Sequence, residues 1–266
     1  MNYILSGNLK GCYPNQCFDF VYKTKVKIYG IDKSVSVSSV ISSANPPHII
    51  TRSSKETESI AKFLLAETVT DETGNYSVTL SGDYNGGTLD IDICGQTAPL
   101  KLKSAMFKAA HEMQFSITSI QPFWHHTNSS ENFNANGNFK IGSDAWCAIL
   151  KAFKLCVING RVIRKPNNIA LSAAKVFAFD CDLLQDDYLG TADTDENGFF
   201  QLIYSEDDFQ KTIFKNLTSE YKNGPDIYFK IESSSGDTLL KEDRKIGDAD
   251  SRKNMTTCLT VNFEIE

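Results

Sequence analysis

The second half of the chain carries an acidic segment whose side chains could bind a metal ion. Its members are Asp180, Asp182, Asp186 and Asp187. Carboxylate oxygens are hard ligands of the kind that Ca²⁺ prefers, so this segment is a candidate calcium loop. A second acidic group, at 193, 195 and 196, supplies only part of what a second calcium loop would need. The alternative is a solvated acidic loop between two strands. We favour it and assign no metal ligand.

The histidines are the other residues whose side chains could hold a metal. They are His48, His111, His125 and His126. Adjacent residues on a strand point to opposite faces, so His125 and His126 cannot easily chelate one ion without a third ligand. The sequence contains no glycine-rich phosphate loop, no nucleophile elbow and no Ser/His/Asp spacing. We therefore predict no catalytic residue and no cofactor.

An internal repeat indicates which elements position these residues. Thr70-Asp71-Glu72 and Gly74 recur as Thr194-Asp195-Glu196 and Gly198, at an offset of 124 residues (194 minus 70). A period of that length indicates a duplicated domain. In each copy the aspartate can cap a tight turn, the glycine allows a positive φ, and apolar alternation resumes at once. Each copy therefore predicts a β-hairpin.

Runs of alternating apolar residues, typical of β-strands, surround each hairpin. In the first copy they cover 4–11, 21–31, 88–94 and 113–124, and in the second 156–163, 174–180, 226–232 and 257–265. Short strands separated by turn residues predict an all-β fold of antiparallel sandwiches. Two long insertions, 34–57 and 100–112, are candidate contact regions.

The segment between the two copies predicts the domain boundary. Residues 127–138 are rich in Asn and Ser, which is typical of a surface loop or linker. Beyond them, a short helix capped by Ser143 or Asp144 would place four apolar residues on one face, namely Trp146, Ile149, Leu150 and Phe153. This helix could close one end of the second domain, fill the domain junction or dock on another chain. The predicted organisation is a divergent domain at 1–127, a linker and helix at 128–153, and a second domain at 154–266.

Composition agrees with two β-domains. A chain of 266 residues suits two domains, each in the range of about 100 to 130 residues. The 17 Phe and 10 Tyr against 4 Met suit a core built on strands. A formal charge of −6 argues against a nucleic-acid surface, which needs clustered Lys and Arg. No apolar run approaches the roughly 20 residues that cross a bilayer.

Seven cysteines bear on the cellular compartment. They are Cys12, Cys17, Cys94, Cys147, Cys156, Cys181 and Cys258. The odd number and the absence of Cys-x-x-Cys spacing argue against a zinc site. The first residues do not read as a secretory signal. We therefore expect buried thiols rather than disulfides, and a protein that is cytoplasmic or exported without a cleaved signal.

The second copy carries a longer pattern than the hairpin alone. Gly160-Arg161-Val162 is followed by the strand 174–180, by Leu189-Gly190 and by Thr194 to Phe200. With this pattern, residues 156–266 resemble the transthyretin-like and carboxypeptidase regulatory-like sandwiches. In the first copy only Gly7, 26–29 and 70–76 fit. The resemblance implies tandem immunoglobulin-like domains that stabilise, space or bind other proteins and carry no chemistry.

Two weaker resemblances concern metals. Residues 225–229 are similar to the Pro-x-Ile-His-Phe segment of the intradiol dioxygenases, but Tyr228 stands where an iron-binding His would be, so we reject that activity. The acidic segment with Leu189-Gly190 resembles the calcium loop of synaptotagmin-type lipid-binding domains. That resemblance implies an alternative function, a calcium-dependent ligand- or membrane-binding domain.

The sequence as a whole predicts a non-enzymatic structural or protein-protein interaction protein. Its expected partners are other proteins or copies of itself, with no nucleic acid, membrane or small-molecule substrate. A component of a larger assembly, such as a secretion apparatus or a phage-like particle, would fit by analogy. A third possibility is an accessory domain of an enzyme system.

Overall fold

The computed structural model describes residues 2–14, 16–31, 50–82, 84–102, 108–126, 132–181, 186–205, 224–255 and 258–266. The protein is mostly β-structure, and it divides into two compact units, Met1–Ile149 and Leu150–Glu266. In the described part of the chain, no helix is both long enough and apolar enough to span a membrane. Asp182 and most of the 34–57 insertion lie outside the described residues.

The first unit contains two β-sheets and helix α1. Its elements are β1 (Asn2–Tyr13), β2 (Gln16–Phe20), β3 (Lys25–Gly30), β4 (Ile50–Thr51), α1 (Ser54–Ile60), a 3-10 turn (Ala61–Phe63), β5 (Leu64–Val69), β6 (Asn75–Thr79), β7 (Leu89–Thr97), β8 (Lys108–Ile120), β9 (His125–His126), β10 (Asn132–Asn136) and β11 (Phe139–Ile141). One sheet is built around β1, which pairs antiparallel with β2 and β6 and parallel with β10 and β11. The other has the order β4-β8-β7-β3-β5.

The second unit is a β-sandwich. Its strands are β12 (Leu155–Arg164), β13 (Ile169–Ala170), β14 (Lys175–Asp180), β15 (Asp187–Asp193), β16 (Phe199–Ser205), β17 (Ile227–Glu232), β18 (Thr238–Lys241) and β19 (Cys258–Ile265), with a 3-10 helix at Arg244–Asp248. In one sheet β12 pairs antiparallel with β13 and β16 and parallel with β19; the other has the order β15-β14-β17-β18. Apolar side chains of both sheets, such as Ile158 and Phe229, share one buried core.

The two units share one strand topology. In each, the first long strand pairs with a hairpin strand on one side and runs parallel to the closing strands on the other. The second sheets also correspond, because β5-β3-β7-β8 has the same order as β15-β14-β17-β18. The two units therefore have the same strand order, as two copies of one domain would.

The repeated hairpin makes the same hydrogen bonds in both units. Thr70 Oγ1 donates to the carbonyl of Val21 at 2.6 Å and accepts the N–H of Thr24 at 2.9 Å. Equivalent bonds join Thr194 Oγ1 to Leu171 at 2.6 Å and to Ala174 at 2.9 Å. The threonine that is repeated in the two hairpins thus fixes the chain that leads into the second sheet, which is a structural role.

The aspartate and glycine of the hairpin form its turn. Asp71 Oδ1 accepts the backbone N–H groups of Thr73 at 2.8 Å and Asn75 at 2.9 Å. Gly74 has a φ of 75°, and a Cβ there would lie 2.5 Å from the carbonyl oxygen of Leu9. Glycine is required because both the backbone angle and the close approach exclude a side chain.

Neutralising Asp71 is expected to destabilise the first unit in a pH-dependent way. Hydrogen bonds from Asn75 and then Thr73 hold the pKa of Asp71 at about 2, below the ordinary 3.8. Because the pKa is lower in the folded state, its stabilisation is present at neutral pH and disappears as the pH falls from about 4 towards 2. Asp71→Asn should therefore lower the thermal midpoint at pH 7, and the difference from wild type should shrink at acidic pH. Glu58→Gln, an exposed carboxylate on α1, is the control; a pH-independent difference would contradict the explanation.

The segment predicted as a linker is instead part of the first unit. Residues 132–136 and 139–141 form β10 and β11, which pair in parallel with β1. Ala135 and Ile141 are buried there, so apolar residues alternate with exposed Asn residues. The prediction was wrong because the Asn-rich exposed positions conceal that alternation. The last strands of the first unit are therefore β10 and β11, and not β8, which covers most of the predicted run 113–124.

The short helix is confirmed as α2 (Ser143–Ala152), which lies across the division between the units. All four residues of its predicted apolar face, Trp146, Ile149, Leu150 and Phe153, are buried. The indole Nε1 of Trp146 donates to Asp19 Oδ2 at 2.9 Å, and Tyr13 donates its hydroxyl to the same oxygen at 2.6 Å. Trp146 therefore belongs to the first unit and fixes the hairpin of β1 and β2.

The cysteines correct a second prediction. Cys12 and Cys17 form a disulfide across the turn between β1 and β2, with Cα atoms 3.9 Å apart. Cys147 and Cys258 each take part in a disulfide too, whereas Cys94 and Cys181 keep free thiols. The expectation of thiols throughout was wrong because the hairpin brings Cys12 and Cys17 together, which their spacing alone does not reveal.

Candidate functional site

The acidic segment lies where β14 ends and β15 begins. Asp180 is the last residue of β14 and stands opposite Asp187, the first residue of β15. Asp180 Oδ1 accepts the backbone N–H of Asp226 at 2.7 Å. The structure thus brings two of the four candidate carboxylates together in register, and one of them already holds the start of β17.

Asp186 is occupied by protein groups. Its Oδ2 accepts the hydroxyl of Tyr228 at 2.7 Å, and its Oδ1 accepts Nη2 of Arg244 at 2.5 Å. Burial and the bond to Asp186 raise the pKa of Tyr228, so this phenol stays a donor. Over the described residues, no group of three or more His, Cys, Asp and Glu side chains could hold a metal ion. Calcium binding stays the alternative hypothesis for this segment.

His125 and His126 are adjacent residues of one short strand, as the sequence predicts. His125 and His126 form β9, and their register partners on β10 are Asn134 and Phe133. The ring of His125 lies 4.9 Å from that of Phe123, whereas the ring of His126 lies 5.2 Å from that of Phe133. The two imidazoles thus contact different aromatic residues, which does not suit chelation of one ion.

Strand β15 offers a different kind of site, because it forms the edge of its sheet. It is last in its sheet, and among the described residues it pairs only with β14. Its interior, 188–192, contains no charged residue, and Tyr188 is 49% exposed with its ring 5.7 Å from that of Phe179. Charges stand only at the two ends of β15, at Asp187 and Asp193. An edge strand with an uncharged interior is a template for another strand, which can pair with its outer N–H and C=O groups.

The first unit has the corresponding edge. Strand β5 is last in its sheet and, within the described part, pairs only with β3. Leu64 and Val69 at its two ends are 41% and 56% exposed, although Glu67 adds a charge between them. The duplication therefore presents the same edge twice. Sequence reasoning did not identify these edges because strand order depends on pairing between distant segments, which has no local signal.

Comparisons with known proteins give little guidance. No protein-family model and no curated protein matches the sequence. A double mutant of the shaft pilin SpaA of Lactobacillus rhamnosus GG has 8% identity and a TM-score of 0.27, with 100% of this chain and 98% of the pilin covered. The fimbrial anchor protein Mfa2 of Porphyromonas gingivalis has 8% identity and a TM-score of 0.28, with 99% and 91% covered.

A 9R-lipoxygenase from Cyanothece PCC8801 also resembles part of the chain. It has 18% identity and a TM-score of 0.27 over 41% of this chain, which spans only 16% of the lipoxygenase. At TM-scores as low as these, none of the three likenesses carries an argument about function.

Proposed function

We propose that this protein is a non-enzymatic structural component that assembles with copies of itself, or with other proteins, through the edges of its sheets. The observation that carries the proposal is the uncharged interior of β15, at the end of a sheet in the second unit. Natural β-proteins usually protect such an edge with charges, proline or a covering element. Strand addition satisfies the outer backbone groups and covers Tyr188.

The buried charges of the first unit support a structural role. Asp92 is fully buried, and Arg52 holds it through Nε at 2.5 Å and Nη2 at 3.1 Å. Gln114 Nε2 donates to the same carboxylate at 2.6 Å and to the hydroxyl of Tyr29 at 3.0 Å. This network joins the chain after β4 to three neighbouring strands. Its polar groups are used to hold the sheet together.

The second unit contains a comparable pair. Glu242 and Arg252, both nearly buried, are joined at 3.1 Å, and Glu242 Oε2 accepts the backbone N–H of Phe229 at 2.8 Å. The guanidinium lies 4.8 Å from the centre of the Phe229 ring. Removing one member would leave a buried charge, which typically costs about 3–5 kcal/mol. A buried ion pair of this kind is consistent with a rigid second unit.

An exported assembly is the setting we propose. The Cys12–Cys17 disulfide supports an oxidising compartment, since such bonds are rare in the cytosol. A component of a secretion apparatus or a phage-like particle fits this setting. We further propose that both units are transthyretin-like, immunoglobulin-like sandwiches, on the basis of their matching hairpins.

Blocking β15 is expected to abolish self-association. Light scattering should give a native mass above the 29.6 kDa of one chain for wild type and close to it for Tyr188→Lys, because the new charge would have to be buried on strand addition. Ile169→Lys, at a 58% exposed site on β13, is the matched control and should stay oligomeric.

The same experiment separates the alternatives. A wild-type protein that remains monomeric at all concentrations would rule out self-assembly. If it associates only after millimolar calcium is added, and Asp187→Asn prevents this, the calcium-dependent function replaces the proposal.

A further inference from the structure

The outer face of the β1 sheet carries an ordered array of uncharged side chains, all of them polar except Ile4. We call it the amide face; it consists of Ile4, Ser6 and Asn8 of β1, Asn75, Ser77 and Thr79 of β6, and Asn134 and Asn136 of β10. These side chains alternate with buried residues such as Leu5, Tyr76 and Ala135, so they lie on the side away from the core. Six of the eight residues are exposed, and Ile4 and Asn8 are half-buried.

Strand pairing sets the residues of the amide face in rows. Ile4 is paired with Thr79 on one side and Asn134 on the other, and Ser6 with Ser77 and Asn136. Neighbouring side chains are therefore about 4.8 Å apart across the strands and about 6.7 Å apart along them. No residue in these rows carries a charge.

Some members of the amide face are bonded to each other and others are open to a ligand. The hydroxyls of Ser6 and Ser77 lie 2.7 Å apart, and Asn8 Nδ2 donates to Asn75 Oδ1 at 2.8 Å. Asn134, in contrast, has an exposed side chain at the edge of the rows. An exposed amide can donate and accept at once, which matches a ligand that does both.

The two ends of the amide face differ. At one end, His125 stands beside Asn134, and Phe123, 79% exposed, has its ring 4.9 Å from the imidazole. At the other end the same face continues to Lys10 and Lys140, with Lys10 Nζ held 4.9 Å from the Phe20 ring. The neutral rows are therefore bordered by an aromatic ring at one end and by two lysines at the other.

From this arrangement we propose that the amide face binds a linear, uncharged polysaccharide along β1. Sugar hydroxyls both donate and accept, as the amides and hydroxyls of the face do. The C–H groups on one side of a sugar ring suit the electron-rich face of Phe123. The lack of charge in the rows disfavours nucleic acid and anionic lipid, which need clustered cations. The array also has little of the aromatic and apolar surface found at the centre of protein interfaces.

The proposal is tested by depletion of the full chain from solution with chitin, cellulose and starch as probes. We expect at least one of them to bind wild type, and Asn134→Lys and Phe123→Ala to weaken that binding about tenfold each. Both sites are exposed, so the variants should keep the wild-type thermal midpoint. Thr238→Lys adds the same charge at an exposed strand position in the second unit and should bind like wild type.

Three results would overturn the inference. They are no depletion by any of the three polysaccharides, binding by Asn134→Lys and Phe123→Ala that equals wild-type binding, and retention on heparin alone. The inference does not depend on assembly through β15, so Tyr188→Lys should still bind the polysaccharide. If Asn134→Lys instead changes the native mass and no polysaccharide binds, the face serves contact between copies and the inference is wrong.

Discussion

Replacing Gly160 by alanine is expected to destabilise the second unit strongly. Gly160 lies in β12 opposite Val261 of the parallel strand β19, and a Cβ there would lie 1.6 Å from the carbonyl oxygen of Val261. The obstacle is backbone, so no side-chain rotation can relieve it and the two strands must separate. Forced overpacking usually costs about 1–3 kcal/mol, and we expect this substitution at or above the upper end.

The first unit provides an independent version of the same test. A Cβ on Gly7 would lie 2.3 Å from the backbone carbon of Gly137, next to β10. Gly7→Ala should therefore destabilise the first unit as Gly160→Ala destabilises the second. Gly82→Ala is the control, since no atom of the described residues lies within 4 Å of the added Cβ, apart from the neighbours in the chain. Urea unfolding followed by circular dichroism measures all three; a stability of Gly160→Ala equal to that of Gly82→Ala would contradict the packing argument.

Removing the Trp146 side chain should produce the second large effect. The residue is fully buried, and its Nε1 donates to Asp19, itself only 6% exposed. Trp146→Ala loses that packing and one donor to a buried carboxylate, so the free energy of unfolding should fall by about 3–5 kcal/mol. The matched control is Phe123→Ala, which removes a 79% exposed ring and should change the stability by less than about 0.5 kcal/mol.

A double-mutant cycle with Gly11 tests the cause. A Cβ on Gly11 would lie 2.1 Å from the Trp146 ring, so Gly11→Ala should be destabilising in the wild type. With Trp146→Ala the obstacle is absent, and Gly11→Ala should then cost much less. Equal costs in the two backgrounds would mean that Trp146 does not pack on β1 as the structure has it.

Both predictions bear on the proposed role. Assembly through a sheet edge requires that the edge be held in one position, because a mobile strand pays its ordering entropy on every association. The parallel closing strands and the buried Trp146 provide this rigidity by different means. Variants at Gly160, which lies in the same unit as β15, should therefore lose assembly together with stability, whereas Tyr188→Lys should lose assembly alone.

Much of the fold could be predicted from local pattern. The hairpin residues Thr70 and Thr194 make matching bonds, and predicted strands 174–180 and 226–232 agree closely with β14 and β17. Turn chemistry and apolar alternation act over a few residues, so the sequence displays them directly. The bonds of Asp186 to Tyr228 and Arg244 could not be predicted in this way, because they join segments that are distant in sequence.

The remaining features depend on segments that are distant in sequence. The composition of 127–138 suggested a linker, and only pairing with β1 makes 132–136 a strand whose asparagines line up with Ser6 and Thr79 across the sheet. The sequence by itself determined a duplicated β-fold, its hairpins and its buried helix face, because these follow from local sterics and periodicity. Tertiary structure alone decided the edges, the amide face and the Cys12–Cys17 bond, because each requires two or more strands to be adjacent in space.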